Sequence, residues 1–324
     1  MSRPQPAQEG TARASARRIG LVLGGGGLTG TAFHAGVIAG LAQPVGWDAR
    51  DAEVVVGTSA GSTSAILLRS GLPPADFVAR MERKPLSVEG GRILGGLGPM
   101  QQARAARPRS WRPASRALLT SMARRPSSFR PTMLTAGLLP EGTRDVMDSV
   151  AGIGSLFDAW PTQPTWIVAV RLDDGQRVVF GRETTAPVRE TVSASCAIPG
   201  YFAPVTIDGT RYVDGGVWSV HNLDLVAGLG LDVVVVSAPL ATDSMRAIER
   251  GNLLRIPVRR SLDHEAARVR RSGTAVIVIA PDERLRDVMG SASMRAERRA
   301  PVALAAQTYV RDLAESGALA VLAR

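Results

Sequence analysis

The sequence predicts an α/β fold built on a mostly parallel sheet. Three observations carry that expectation. Short runs rich in valine and isoleucine recur along the chain, most of them without the apolar–polar alternation of a half-exposed strand. Stretches with helical spacing fall between them. Two of the junctions, GGGGLTG (24–30) and GTSAG (57–61), are glycine-rich turns leading from an apolar run into a helical one.

Taken in order, IGLVL (19–23) is a short apolar run stopped by glycine, the pattern of a buried parallel strand. TAFHAGVIAGLA (31–42) has helical spacing. AEVVVG (52–57) reads as a second buried strand, and SAILLRSGL (64–72) as a helix ending at Gly71. Further strands are expected at TWIVAVRL (165–172), QRVVFG (176–181), RYVD (211–214), DVVVVSA (232–238) and TAVIVIA (274–280). The stretch from Ala300 to Arg324 reads as an amphipathic helix covering one face.

The chain has 324 residues, enough for one large α/β domain or two small ones; a single domain over 19–324 is expected. Residues 1–18 are polar and basic, read as a disordered tail, and lack the apolar core of a secretory signal. No transmembrane helix is expected either, since residues 19–43 are interrupted by glycines and turn signals. A cytoplasmic location follows as the expectation, with or without peripheral contact to a membrane.

At 45% hydrophobic but only 4% aromatic, the core must rest on Ala, Val, Leu and Ile. The net charge is +10, and Lys84 is the one lysine, so arginine carries nearly all of the positive charge. Such a balance favours anionic partners. Nucleic acid is not expected, because no binding motif accompanies the charge and aromatics for base stacking are sparse. Cys196 is the one cysteine, so no internal disulfide is possible. His34, His221 and His264 lie far apart without ligand spacing; no metal and no cofactor are expected.

Residues 82–148 break the α/β pattern. From Gly90 to Pro140 there is no Asp or Glu, while nine arginines fall inside, interleaved with Trp111 and Phe129. This stretch is either a solvated insertion or a lid that meets an anionic lipid surface, where each arginine contributes about 1 kcal/mol.

GTSAG follows a strand and precedes a helix, the context of a nucleophile elbow. There a serine sits on a sharp, strained turn, and Gly57 and Gly61, two residues to either side of Ser59, keep clear of it. The glycine run before the first helix formally matches a dinucleotide fingerprint at Gly25, Gly27 and Gly30. The acidic residue that should end the next strand is missing, since Asp48 and Asp51 precede it. No G-K-S/T follows, which excludes a P-loop. The anion left to consider is the oxyanion of an acyl-transfer intermediate, on which successive glycine N–H groups can converge. A tight turn without a ligand is the plain alternative.

A serine nucleophile needs a base. His264 sits in a charged helical stretch, RRSLDHEAARVRR; His34 reads as a packed or capping residue; His221 lies in a loop after a glycine pair. Asp214 in YVDGGV (212–217) is the better candidate. It ends a strand, and Gly215 and Gly216 free the backbone to turn. Partial desolvation would strengthen it as a base. The same tripeptide also serves as a simple turn.

The ordered set GGGGLTG, GTSAG, SASCAIPGYFAPV (193–205) and YVDGG resembles the patatin-like phospholipase family, from about Ile19 to Val217 and more weakly beyond; the Arg-rich region is not covered. The resemblance implies a three-layer α/β/α fold and a lipid acyl hydrolase with a Ser–Asp dyad and no catalytic histidine. It implies Ser59 as nucleophile and Asp214 as base. It also implies an oxyanion hole from the backbone of Gly25, Gly26 and Gly27 with the N–H of Ala60, and a structural Cys196. A lipid ester is then the expected substrate, with residues 90–140 as the contact to anionic membrane. The alternatives within the fold are an acyltransferase and a non-catalytic membrane-associated protein. One departure stands out: the family's glycine loop carries Arg or Lys where this chain has Thr29, which makes a phosphate-free ester more plausible.

Overall fold

The computed structural model describes residues 17–43, 45–95, 97, 111–124, 131–242 and 255–322. The expected tail, apart from Arg17 and Arg18, lies outside them. So do Phe129 and five of the nine arginines, Arg104, Arg107, Arg109, Arg125 and Arg130.

Eight strands form one mixed sheet: β1 (Ile19–Leu23), β2 (Val54–Thr58), β3 (Thr165–Arg171), β4 (Arg177–Phe180), β5 (Val205–Ile207), β6 (Thr210–Asp214), β7 (Val233–Ser237) and β8 (Ala275–Ile279). Their order is β5–β6–β3–β2–β1–β7–β8, with β4 paired to β3. The run β3–β2–β1–β7–β8 is parallel throughout, while β4, β5 and β6 join antiparallel.

The helices are α1 (Gly27–Ala42), α2 (Ala60–Arg69), α3 (Pro74–Glu82), α4 (Val88–Leu94), α5 (Arg116–Arg124), α6 (Pro131–Leu138), α7 (Met147–Gly154), α8 (Val188–Ser195), α9 (Arg255–Arg271), α10 (Glu283–Met289) and α11 (Arg299–Glu315). Both faces of the sheet's centre are covered, which is why β1, β2, β3 and β7 read as largely apolar runs. Along β7, Val233 and Val235 join the core shared with α1, α2 and α11, while Val234 and Val236 join the core shared with α9. The period of two thus feeds two cores at once, and the architecture is three-layer α/β/α.

Helix α1 is buried around nearly its whole circumference, from Thr29 to Leu41. It runs under the sheet on one side and against α11 on the other. The second contact requires Gly36: a Cβ there would sit 2.3 Å from the Ala303 carbonyl oxygen. The expected C-terminal helix is this α11, which ends at Glu315. The helix expected from Thr31 begins four residues earlier, inside the glycine run, because the N-cap is Gly26.

The register of β3 positions the site. Its first half pairs with β2, ending at Thr58 opposite Val168. Its second half pairs with β6, where Asp214 lies opposite Ala169. Strand β4 pairs with Ile167–Val170 and takes the other edge. A strand has two edges, so β2 and β6 share one and meet end to end. Their C-terminal residues, Thr58 and Asp214, face each other, and Ser59 follows directly.

Candidate active site

Ser59 stands between β2 and α2 with φ 53° and ψ −118°, one of four non-glycine residues with positive φ among those described. Strain of this kind costs roughly 1–3 kcal/mol and persists only where the surroundings enforce it. Here they do. Ser59 donates its N–H to Ser195 Oγ at 2.9 Å, and its carbonyl accepts from Ser62 N–H and Oγ at 2.8 and 2.6 Å. The tight turn presses α2 onto β1, so a Cβ at Gly61 would lie 1.9 Å from the Leu23 carbonyl oxygen. Gly57, in β2, is confined in the same way by Ser62.

Asp214 is buried, at 6% exposure. Its carboxylate accepts a hydrogen bond at 2.7 Å from the Gly216 N–H in the turn Gly215–Val217, and the Ser59 hydroxyl lies near enough to favour its charged form. Its backbone N–H donates to Ala197 O at 3.0 Å, which ties the strand end to the loop after α8. Burial pushes the Asp214 carboxyl up to about 6, and the Ser59 hydroxyl and the Gly216 N–H only partly offset that rise.

The glycine loop passes beside this pair. A Cβ at Gly25 would be 3.6 Å from Ser59 Cβ. The Gly25 N–H, however, donates to Val220 O at 2.8 Å, and that of Gly24 to Ser237 O at 3.1 Å. Gly25 therefore shapes the loop and has no N–H free for an oxyanion. Gly26 and Gly27 stand at the head of α1, where the first N–H groups have no intrahelical acceptor. Gly27 adopts φ +60°, a conformation that favours glycine. Ala60 heads α2 in the same manner. Thr29, at the position where the patatin-like glycine loop carries Arg or Lys, is buried and donates its N–H to Ser293 O at 3.0 Å.

None of the three histidines bonds to Ser59 or Asp214. His34 is fully buried between Ser237 Oγ and Gly24 O, each at 2.7 Å, and burial lowers it to about 4. His221 is also fully buried, with no hydrogen-bond partner on either ring nitrogen, and burial lowers it to about 3. It packs behind the loop, where a Cβ at Gly24 would lie 2.7 Å from its Cδ2. His264 is exposed on α9.

A cavity of about 240 Å³ opens at Ser59. Leu28, Val146, Val150, Ile198, Phe202 and Met294 supply apolar walls. Cys196 also lines it; burial and the nearby Asp214 charge push its thiol up to about 12, so it stays a thiol. Arg144, Tyr201 and Arg299 line the cavity as well. Arg144 and Arg299 carry no sequence signal, because they belong to segments remote from every motif. Among the described residues no group of three His, Cys, Asp or Glu side chains is assembled, and no helix is long and apolar enough to cross a membrane.

Comparison with known proteins agrees with the motif order. The chain is 28% identical over 232 residues to uncharacterized NTE family proteins of Mycobacterium bovis and Mycobacterium tuberculosis, covering 72% of this chain. It spans about half of their length, 52%. Among solved structures it is similar to VipD from Legionella pneumophila (15% identity, 93% of this chain and 67% of that one, TM-score 0.41). It is also similar to the type III effector protein ExoU (18% identity, 93% and 53%, TM-score 0.37). Those two likenesses are too distant to carry an argument. The family model for patatin-like phospholipase matches residues 21–227, more than half of the chain. The chain belongs to the patatin-like phospholipase family.

Proposed function

We propose that this protein is a serine acyl hydrolase that cleaves fatty-acyl ester bonds of lipids through a Ser59–Asp214 dyad. One observation carries the reading: strand ends bring a strained, buried serine beside a buried carboxylate whose proton affinity burial has raised. A carboxylate in water, with a pKa near 3.9, is a weak base for a hydroxyl; one near 6 is closer to the working range of general bases.

In this mechanism Ser59 Oγ attacks the ester carbonyl and Asp214 takes its proton. The negative charge on the carbonyl oxygen falls before the N–H groups of Gly26, Gly27 and Ala60, assisted by the N-terminal ends of α1 and α2. Collapse breaks the bond to the alcohol, which leaves with the proton from Asp214. Water then attacks the acyl-enzyme, Asp214 removes its proton, and the fatty acid and free Ser59 are released. The apolar cavity walls take the acyl chain. The cycle needs no metal or cofactor.

Contact with a lipid surface is part of the same proposal. Trp111 is 83% exposed and Leu138 51% exposed, and Leu139 lies beside Gly200, next to Tyr201 of the cavity wall. Exposed apolar side chains of this kind suit insertion at a membrane interface. Labelling by a fluorophosphonate, with the modified residue identified, tests the catalytic reading.

A further inference from the structure

The cavity at Ser59 has an electrostatic bias that the dyad chemistry does not use. Its lining includes two guanidinium groups, Arg144 and Arg299, and no carboxylate. Arg144 stacks on the ring of Tyr201, with Cζ 4.3 Å from the centroid. That contact holds the side chain against one wall while leaving its N–H edges available. Arg299 stands at another wall, where its Nε donates to Ala296 O at 3.3 Å. Neither has an acidic partner within ion-pair distance among the described residues. The first residues of α1, α2 and α11 all line this cavity, so the positive ends of three helices lie at its wall.

Positive charge also accumulates behind Arg299. Arg80 and Arg83, at the end of α3, lie close enough for like charges to repel. Burial and Arg83 lower the Arg299 guanidinium below its ordinary value; burial and Arg299 do the same for Arg80. Desolvated like charges without a counterion are unfavourable, and a bound anion would relieve them. The family position that ordinarily carries the cation is Thr29 here, turned toward Ser293. The positive charge of this site comes instead from outside the glycine loop.

We infer that Arg144 and Arg299 form an anion subsite in the Ser59 cavity, which takes the phosphate of a glycerophospholipid while the scissile ester lies against Ser59. The inference rests on the hydrolase reading above and reverses the expectation of a phosphate-free ester. A guanidinium pairs with phosphate through two parallel N–H donors, and two such groups fix the head group relative to the nucleophile. The apolar walls then receive the acyl chain.

The test compares two short esters below their micelle concentrations, dihexanoyl phosphatidylglycerol and dihexanoylglycerol. They share acyl chains and differ in the phosphate. Replacing Arg299 or Arg144 with Ala should lower the ratio of their kcat/KM values roughly 10- to 100-fold, the scale of a hydrogen bond to a charged group. Arg299→Lys should fall between, keeping the charge without the fork. An unchanged ratio, or equal losses on both esters, would overturn the subsite. Calorimetry on the Ser59→Ala protein separates the subsite from catalysis. Dihexanoyl phosphatidylglycerol should bind, and at least tenfold more weakly once Arg299→Ala is added; equal binding overturns the subsite. Inorganic phosphate binding as tightly as the lipid would overturn the lipid assignment. Wild-type protein inert toward both esters, while the Arg299-dependent binding persists, would sink the hydrolase reading and leave the subsite standing.

Discussion

Thr58 and Asp214 occupy consecutive rungs on one edge of β3, opposite Val168 and Ala169. The parallel strand β2 and the antiparallel strand β6 run toward each other along that edge, and their ends deliver Ser59 and Asp214 to one point. Backbone pairing thus sets the relative placement of Ser59 and Asp214, with no loop between the sheet and either residue. Sites held on rigid elements keep their geometry better than sites on loops.

Asp214→Asn should abolish most activity and stabilise the fold at pH 7. The folded-state pKa of about 6 lies above the ordinary value of 3.8. Stability linked to this group is therefore full below about 4 and is lost as pH rises through 6. At pH 7 the buried charge costs on the order of 2–3 kcal/mol. Asparagine removes the charge and keeps an acceptor for the Gly216 N–H. The melting temperature should rise by a few degrees while kcat falls at least 100-fold. A lower melting temperature at pH 7 would refute the desolvation argument.

The pH profile of kcat/KM on a neutral, soluble ester should rise with unit slope to a break near 6, where Asp214 ionises. The two buried histidines, lowered to about 4 and about 3, are neutral across that range and contribute no break. Asp214→Asn should remove the limb together with the activity. A break that survives this substitution would assign the base elsewhere.

His221→Leu should leave activity within about tenfold of wild type and should not lower stability. Its two ring nitrogens are buried without partners, so an apolar side chain removes an unmet polar demand. A kinetic loss as deep as that of Ser59→Ala would mean a serine–histidine mechanism.

Two glycine substitutions should fail in different ways. Gly61→Ala puts a methyl 1.9 Å from the Leu23 carbonyl oxygen and should destabilise the protein enough to impair folding. Gly25→Ala meets Ser59 Cβ at an ordinary 3.6 Å, so the fold should survive while the added methyl crowds the nucleophile. Thermal melts and ester kinetics on both variants check this; equal destabilisation would contradict the ordinary spacing beside Gly25.

Association with anionic vesicles should weaken several-fold as salt rises toward 1 M, since screening shortens the reach of arginine charge. Replacing Trp111 and Leu138 with serine should reduce hydrolysis of vesicle lipid more than hydrolysis of a short soluble ester. Co-sedimentation that ignores both salt and lipid charge would remove the membrane part of the proposal.

Strands β1, β2, β3 and β7 are legible in the sequence because both of their faces are buried, and continuous apolar runs such as VVVV in β7 have few other homes. The elbow is legible because Gly57 and Gly61 answer local steric demands. Other features depend on partners far away in the chain. The Gly25 N–H looks available until Val220, nearly 200 residues later, is seen to accept it. Strand β5 has three residues and reads as loop, since only its pairing with β6 makes it a strand. Arg144 and Arg299 reach one cavity through tertiary packing alone, and no spacing rule connects positions so distant.

Covalent labelling with a fluorophosphonate, followed by peptide mapping, tests the central claim most directly. One modified residue is expected, Ser59, with labelling abolished in Ser59→Ala and strongly slowed in Asp214→Asn, both variants remaining folded. Modification at any other residue, or undiminished labelling of Ser59→Ala, would contradict it.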